Sequence, residues 1–130
     1  MFTIDQIKEA HSKVKSGADF PQYVQDLIRL GVIHYSTYVK DGHTVYWGSD
    51  NFRVQSTPKY EQLEVAEHGD KNQFIHHLNM HQAGETTYPE FCNHAAQDGV
   101  EKWTVDMVEM TCTYYDHEGH KIYEEEIPTP

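Results

Sequence analysis

Two stretches of this chain, about residues 3–55 and 70–127, carry one pattern written twice, and this self-similarity constrains the fold more than any other feature. Gln6 aligns with Gln73, Ile7 with Phe74, and Gly17 with Gly84. After one extra residue in the second stretch, Phe20-Pro21-Gln22-Tyr23 falls on Tyr88-Pro89-Glu90-Phe91. Gly31-Val32 then falls on Gly99-Val100, and Tyr46-Trp47 on Tyr114-Tyr115. The identities are few, but they sit where glycine and proline have defined backbone roles. The chain therefore reads as an internal duplication.

Each copy gives the same order of elements. Thr3 is placed to cap a first helix, with Gln6 completing a capping box and Ile4, Ile7 and Val14 on one stripe; Gly17 ends it. A second helix opens at Asp19 or Phe20, carries Pro21 in its first turn and stops at Gly31. The second copy repeats this from Asp70 to Gly84 and from Thr87 to Gly99. Residues 32–39 and 43–47 read as strands around an Asp41-Gly42 turn, with a short strand near Phe52-Arg53-Val54. Trp103, Val105 and Met107 alternate, as do Met110, Cys112 and Tyr114, and Glu118-Gly119 turns the chain into Lys121-Ile122-Tyr123. Between the copies, Leu63 and Val65 alternate like a short strand, and Glu124-Glu125-Glu126 with the closing Pro128-Thr129-Pro130 read as a frayed end. The expected fold class is α+β: a duplicated ααβββ unit with antiparallel sheet or sheets, merged or side by side, and four helices packed on one face.

A length of 130 residues fits one domain, 1–130. Hydrophobic content is only 38%, yet nine Tyr, five Phe and two Trp supply large apolar area for a core. The formal net charge of −11 repels phosphate, which argues against nucleic acid and anionic membranes as partners. Met1-Phe2-Thr3-Ile4-Asp5 has the character of neither end of a signal peptide, and no apolar run is long enough to span a bilayer, so a cytoplasmic location is expected. Cys92 and Cys112 stand in no metal or redox spacing and are expected as buried free thiols.

Ten histidines raise the question of a metal. His77 and His81 have the best spacing, one helical turn apart, but chance alone yields roughly 0.7 such pairs in a chain of this composition. Leu78 follows His77, so no HExxH pattern is present, and alignment of His81 with Val14 turns it toward the core. His77 and His81 are therefore weak metal candidates, and no cofactor is expected. His117-Glu118-Gly119-His120 falls where a hairpin turn belongs, His11 lies on an apolar stripe as an interior residue, and Asp106 and Glu109 read as turn carboxylates. No nucleophile elbow, P-loop or dinucleotide glycine pattern occurs, so no catalytic residue is assigned.

The sheet offers the more informative surface. With Trp103, Val105, Met107, Met110, Cys112 and Tyr114 toward the helices, the other face presents Thr111, Thr113, Tyr115 and Tyr123. In the first copy the matching face presents His34, Ser36 and Tyr38. Tyr and Thr rows make good contact surfaces, so His34, Tyr38, Thr111, Thr113, Tyr115 and Tyr123 are the binding candidates.

The runs FTIDQIKEAH, KSGADFPQYVQDL from Lys15, GVEKWTVDM from Gly99 and MTCTYYD from Met110 together cover the chain widely. In these runs the sequence resembles an enterobacterial family of proteins of about this length and of unknown function, often labelled phage envelope proteins. The resemblance implies a prophage association and brings no activity, cofactor or catalytic residue with it. The leading expectation is a non-catalytic binding or interaction protein whose partner is a second copy, another protein or a small molecule. Two other classes stay open: a small enzyme, metal-assisted or not, with its site between the halves, and an acidic inhibitor of a basic partner.

Overall fold

The computed structural model describes residues 1–15 and 19–130, so the expected helix stop at Gly17 lies outside the described residues. Among the described residues, four α-helices and six strands run in the order α1 (Ile4–His11), α2 (Phe20–Leu30), β1 (His34–Tyr38), β2 (Thr44–Trp47), β3 (Arg53–Gln55), α3 (Lys71–Gln82), α4 (Tyr88–Gln97), β4 (Lys102–Asp106), β5 (Thr111–Tyr115) and β6 (Lys121–Glu126). The class is α+β, as expected.

Local chemistry sets the helix ends. Thr3 Oγ1 accepts the Gln6 N–H at 3.2 Å while Gln6 Oε1 accepts the Thr3 N–H at 2.9 Å, which satisfies two donors that the helix cannot. Thr87 and Glu90 form the same reciprocal box before α4, and Asp70 caps α3 through Gln73. Gly31 ends α2 in the left-handed region at φ 104°, with Val32 N donating to Leu27 O. Helix α1 is shorter than the Gly17 stop implied. Ser12 Oγ donates to Glu9 O at 2.5 Å and Lys13 N to Ala10 O, so the chain tightens and leaves the helix at His11.

The strands form one antiparallel sheet in the order β3-β2-β1-β4-β5-β6. The two meanders merge through β1 and β4, whose register runs from His34 opposite Asp106 to Tyr38 opposite Lys102. This decides between merged and separate sheets. One face carries Tyr35, Tyr46, Trp103, Val105, Cys112 and Tyr114, and a single core joins it to Ile7 and Ala10 of α1, Val24 and Leu27 of α2, Phe74 and Leu78 of α3, and Phe91 and Ala95 of α4.

Two expectations need correction. Leu63 and Val65 are not in a strand: Leu63 N donates to Lys40 O and Ala66 N to Ala96 O, a turn and a helix end that supply no ladder. Glu124-Glu125-Glu126 is not frayed. It completes β6, because the strand buries Ile122 before it and Ile127 after it, and Ile127 N donates to Met110 O.

Candidate functional site

The ends of α1 and α3 and the starts of α2 and α4 meet above the middle of the sheet and leave a cavity of about 580 Å³ between them. Its floor is made by alternate residues of four strands: Tyr35 and Thr37 of β1, Thr44 and Tyr46 of β2, Trp103 of β4, and Cys112 and Tyr114 of β5. Period-2 alternation puts all of them on the helix side. Phe20, Tyr23, Leu78, Tyr88 and Phe91 form the walls. A larger depression of about 910 Å³ runs beside residues 62–67, Ala96 and His117, and it is the more open of the two to solvent.

The cavity is apolar in its rings and polar at its hydroxyls. The Tyr35 hydroxyl lies within electrostatic reach of Tyr23, Tyr46, Tyr88 and Cys112. Burial drives all four of these tyrosines above the ordinary phenol range, which leaves them neutral donors. Thr37 and Thr44 share a buried 2.9 Å hydroxyl contact across β1 and β2. At one end Glu125 accepts from the Tyr114 hydroxyl at 3.1 Å and from Gln82 Nε2 at 3.2 Å. His81 lies flat against Phe91, ring centroids 4.5 Å apart, with Nδ1 3.1 Å from Thr86 Oγ1; burial lowers its imidazole below the usual value. His11 meets Tyr23 edge to face at 5.3 Å and is likewise lowered by burial, with Lys59 adding to the effect. It stands exposed at the rim, which corrects its reading as an interior residue.

Five of the six sheet-face candidates sit where alternation puts them, on the face away from the helices. His34 stacks on Trp47 at 4.5 Å, and Tyr38 on His43 at 4.6 Å. Lys102 Nζ lies 5.8 Å from the Tyr38 ring and 5.4 Å from the Tyr115 ring, bridging the two. Thr113 Oγ1 donates to Glu124 at 2.8 Å, Ser36 and Thr104 share a 2.8 Å contact, and Thr111 stands opposite Asp106. This face is knitted together by its own side chains, and none of these residues lines the cavity. Tyr123 is the exception. It pairs with Tyr114 and stacks on it at 6.4 Å, on the helix side, because a bulge at Tyr114/Tyr115 shifts the β6 register and reverses the expected parity.

The histidine pair does not converge. His77 Nδ1 lies 2.6 Å from Asp98 Oδ2, whereas His81 turns to Thr86 in the cavity wall. Among the described residues, no three His, Cys, Asp or Glu side chains gather as metal ligands. His117 and His120 face Glu101 and Asp116 separately, at 3.6 and 3.4 Å, both largely exposed. Asp106 Oδ1 accepts the Val108 and Glu109 N–H groups, so it shapes its turn. Cys92 and Cys112 are buried free thiols.

Sequence reasoning missed the cavity and with it Tyr23, Tyr35, Tyr46, Tyr88 and Lys59. Strand parity already placed Tyr35 and Tyr46 inward, but a core tyrosine and a cavity tyrosine read alike until the helix ends are known to leave a gap. Among the described residues, no helix is long and apolar enough to cross a membrane. No curated protein matches the chain. A family model described as "Protein of unknown function (DUF1398)" matches residues 8–126, nearly the whole chain, and the chain belongs to that family.

Proposed function

We propose that this chain is a binding protein for a small organic molecule held in the cavity between the helix ends and the sheet. The observation that carries the reading is the cavity itself. At about 580 Å³ it falls among pockets that enclose small organic ligands, and it combines aromatic walls with a few convergent hydroxyls. The same reading takes the chain as two copies of one ααβββ unit with the ligand site at their junction. The repeated element order and the sheet order, in which β1 and β4 meet at the centre, support it.

The test is a screen of small organic fragments against the full chain by ¹H–¹⁵N NMR. Expected shifts cluster on Tyr35, Thr37, Tyr46, Trp103 and Phe91. Shifts confined to His34, Tyr38 and Tyr115, or none from any fragment, would overturn the proposal.

A further inference from the structure

We infer that the cavity takes an aromatic anion, such as an aromatic carboxylate, with its ring against Phe91 and Trp103 and its anionic group at Lys59; this rests on the reading of the cavity as a ligand site. Three observations lead there. The first is charge. The chain carries −11 overall with histidines neutral, yet Glu125 is the one acidic side chain among the described residues lining the cavity, against the two lysines Lys15 and Lys59. A site that concentrates cationic groups within an acidic protein selects anions locally against the molecule's own field.

The second is satisfaction. Glu125 is already held by Tyr114 and Gln82, while Lys59 enters none of the ion pairs among the described residues. Burial lowers its ammonium below the usual value, opposed by the nearby Cys92 thiol and helped by the Lys8 charge. Lys59 borders the cavity with no acidic partner among the described residues, so an entering carboxylate would supply its counter-charge. The cavity hydroxyls are largely paired among themselves or with Glu125, so Lys59 is the group that selects for charge.

The third is shape. Phe91 and Trp103 stand with ring centroids 5.7 Å apart at 52°, and Tyr23, Tyr35 and Tyr88 complete an aromatic enclosure that favours a flat ring in edge and offset contacts.

The probes are 2-naphthoate and its neutral counterpart 2-naphthamide, titrated into the full chain by calorimetry. The expected result is that naphthoate binds about tenfold tighter, the worth of one hydrogen bond to a charged group. Lys59→Met should remove most of that preference and weaken naphthamide far less, and Lys59→Arg should keep it. Both variants are first checked for wild-type melting, and Lys59 is on an exposed segment where such changes are tolerated. Equal binding of the two probes, or equal weakening of both by Lys59→Met, overturns the anion inference and leaves the cavity reading standing. Binding of neither probe also overturns it. The cavity reading falls with it only if the fragment screen is blank as well.

Discussion

His77 Nδ1 donates to the Asp98 carboxylate at 2.6 Å, and Asp98 is fully buried where α4 ends. His94 lies flat against His77 with centroids 3.9 Å apart, and Asp98 Oδ1 is left with no hydrogen-bond partner among the described residues. The pair ties α3 to the end of α4, so its value is structural. His77→Ala strands a buried carboxylate and should cost about 3–5 kcal/mol, whereas Asp98→Asn, which removes the charge, should cost about 1–2 kcal/mol. Urea unfolding of both variants measures this. Burial raises the Asp98 carboxyl above its ordinary value, against the pull of His77. The folded state therefore keeps that proton to higher pH than the unfolded chain, and the carboxyl's contribution to stability grows as pH falls through that raised value. The deficit of His77→Ala should accordingly narrow on acidification; a constant deficit would show that the carboxyl does not titrate as described.

His11 and His81 at the cavity mouth carry the opposite sign. Burial holds both below the ordinary 6.5, so below that pH the unfolded chain takes up protons that the folded one resists. Their contribution is present above 6.5 and is lost as pH falls through the folded values. Melting temperature should drop on that descent, and the double variant His11→Gln, His81→Gln should drop less. An equal drop in both proteins would place the effect elsewhere.

Gly99 and Gly84 both have positive φ, 81° and 79°, but their surroundings differ. A Cβ at Gly99 would lie 2.2 Å from the His68 carbonyl oxygen, while at Gly84 nothing stands within 4 Å. Gly84→Ala meets backbone strain only and should cost about 1–2 kcal/mol. Gly99→Ala adds a backbone collision and should cost about 2–4 kcal/mol. Denaturant midpoints of the two variants give the comparison directly, and equal losses would contradict it.

The two thiols should be inert in the native protein. Burial pushes Cys112 up to about 12 and raises Cys92 as well, so the thiolate that reacts is scarce and shielded. A chromogenic disulfide reagent should label neither cysteine in the folded chain and both after unfolding. Rapid native labelling of either one would mean that the core opens on that timescale.

Much of this architecture is local and was therefore readable along the chain. The capping boxes at Thr3–Gln6 and Thr87–Glu90, the prolines in the first turns of α2 and α4, and the left-handed stop at Gly31 each depend on residues within one turn of each other. Alternation likewise determined which face Tyr38, Thr113 and Tyr115 occupy, because side-chain parity is intrinsic to an extended strand. Parity failed at Tyr123, where a bulge adds a residue that no composition signal marks.

What only the tertiary structure decided is the relation between distant elements. The merging of both meanders through β1 and β4 depends on backbone edges that any strand offers. The union of His77 with Asp98 joins α3 to the end of α4 across 21 positions of sequence, a contact that the local spacing of His77 and His81 does not announce. The cavity is the extreme case. Its tyrosines, Lys59 and Glu125 come from seven segments of the chain, and a void is set by how packed helix ends fail to meet, a property of volume that no linear pattern of residues encodes.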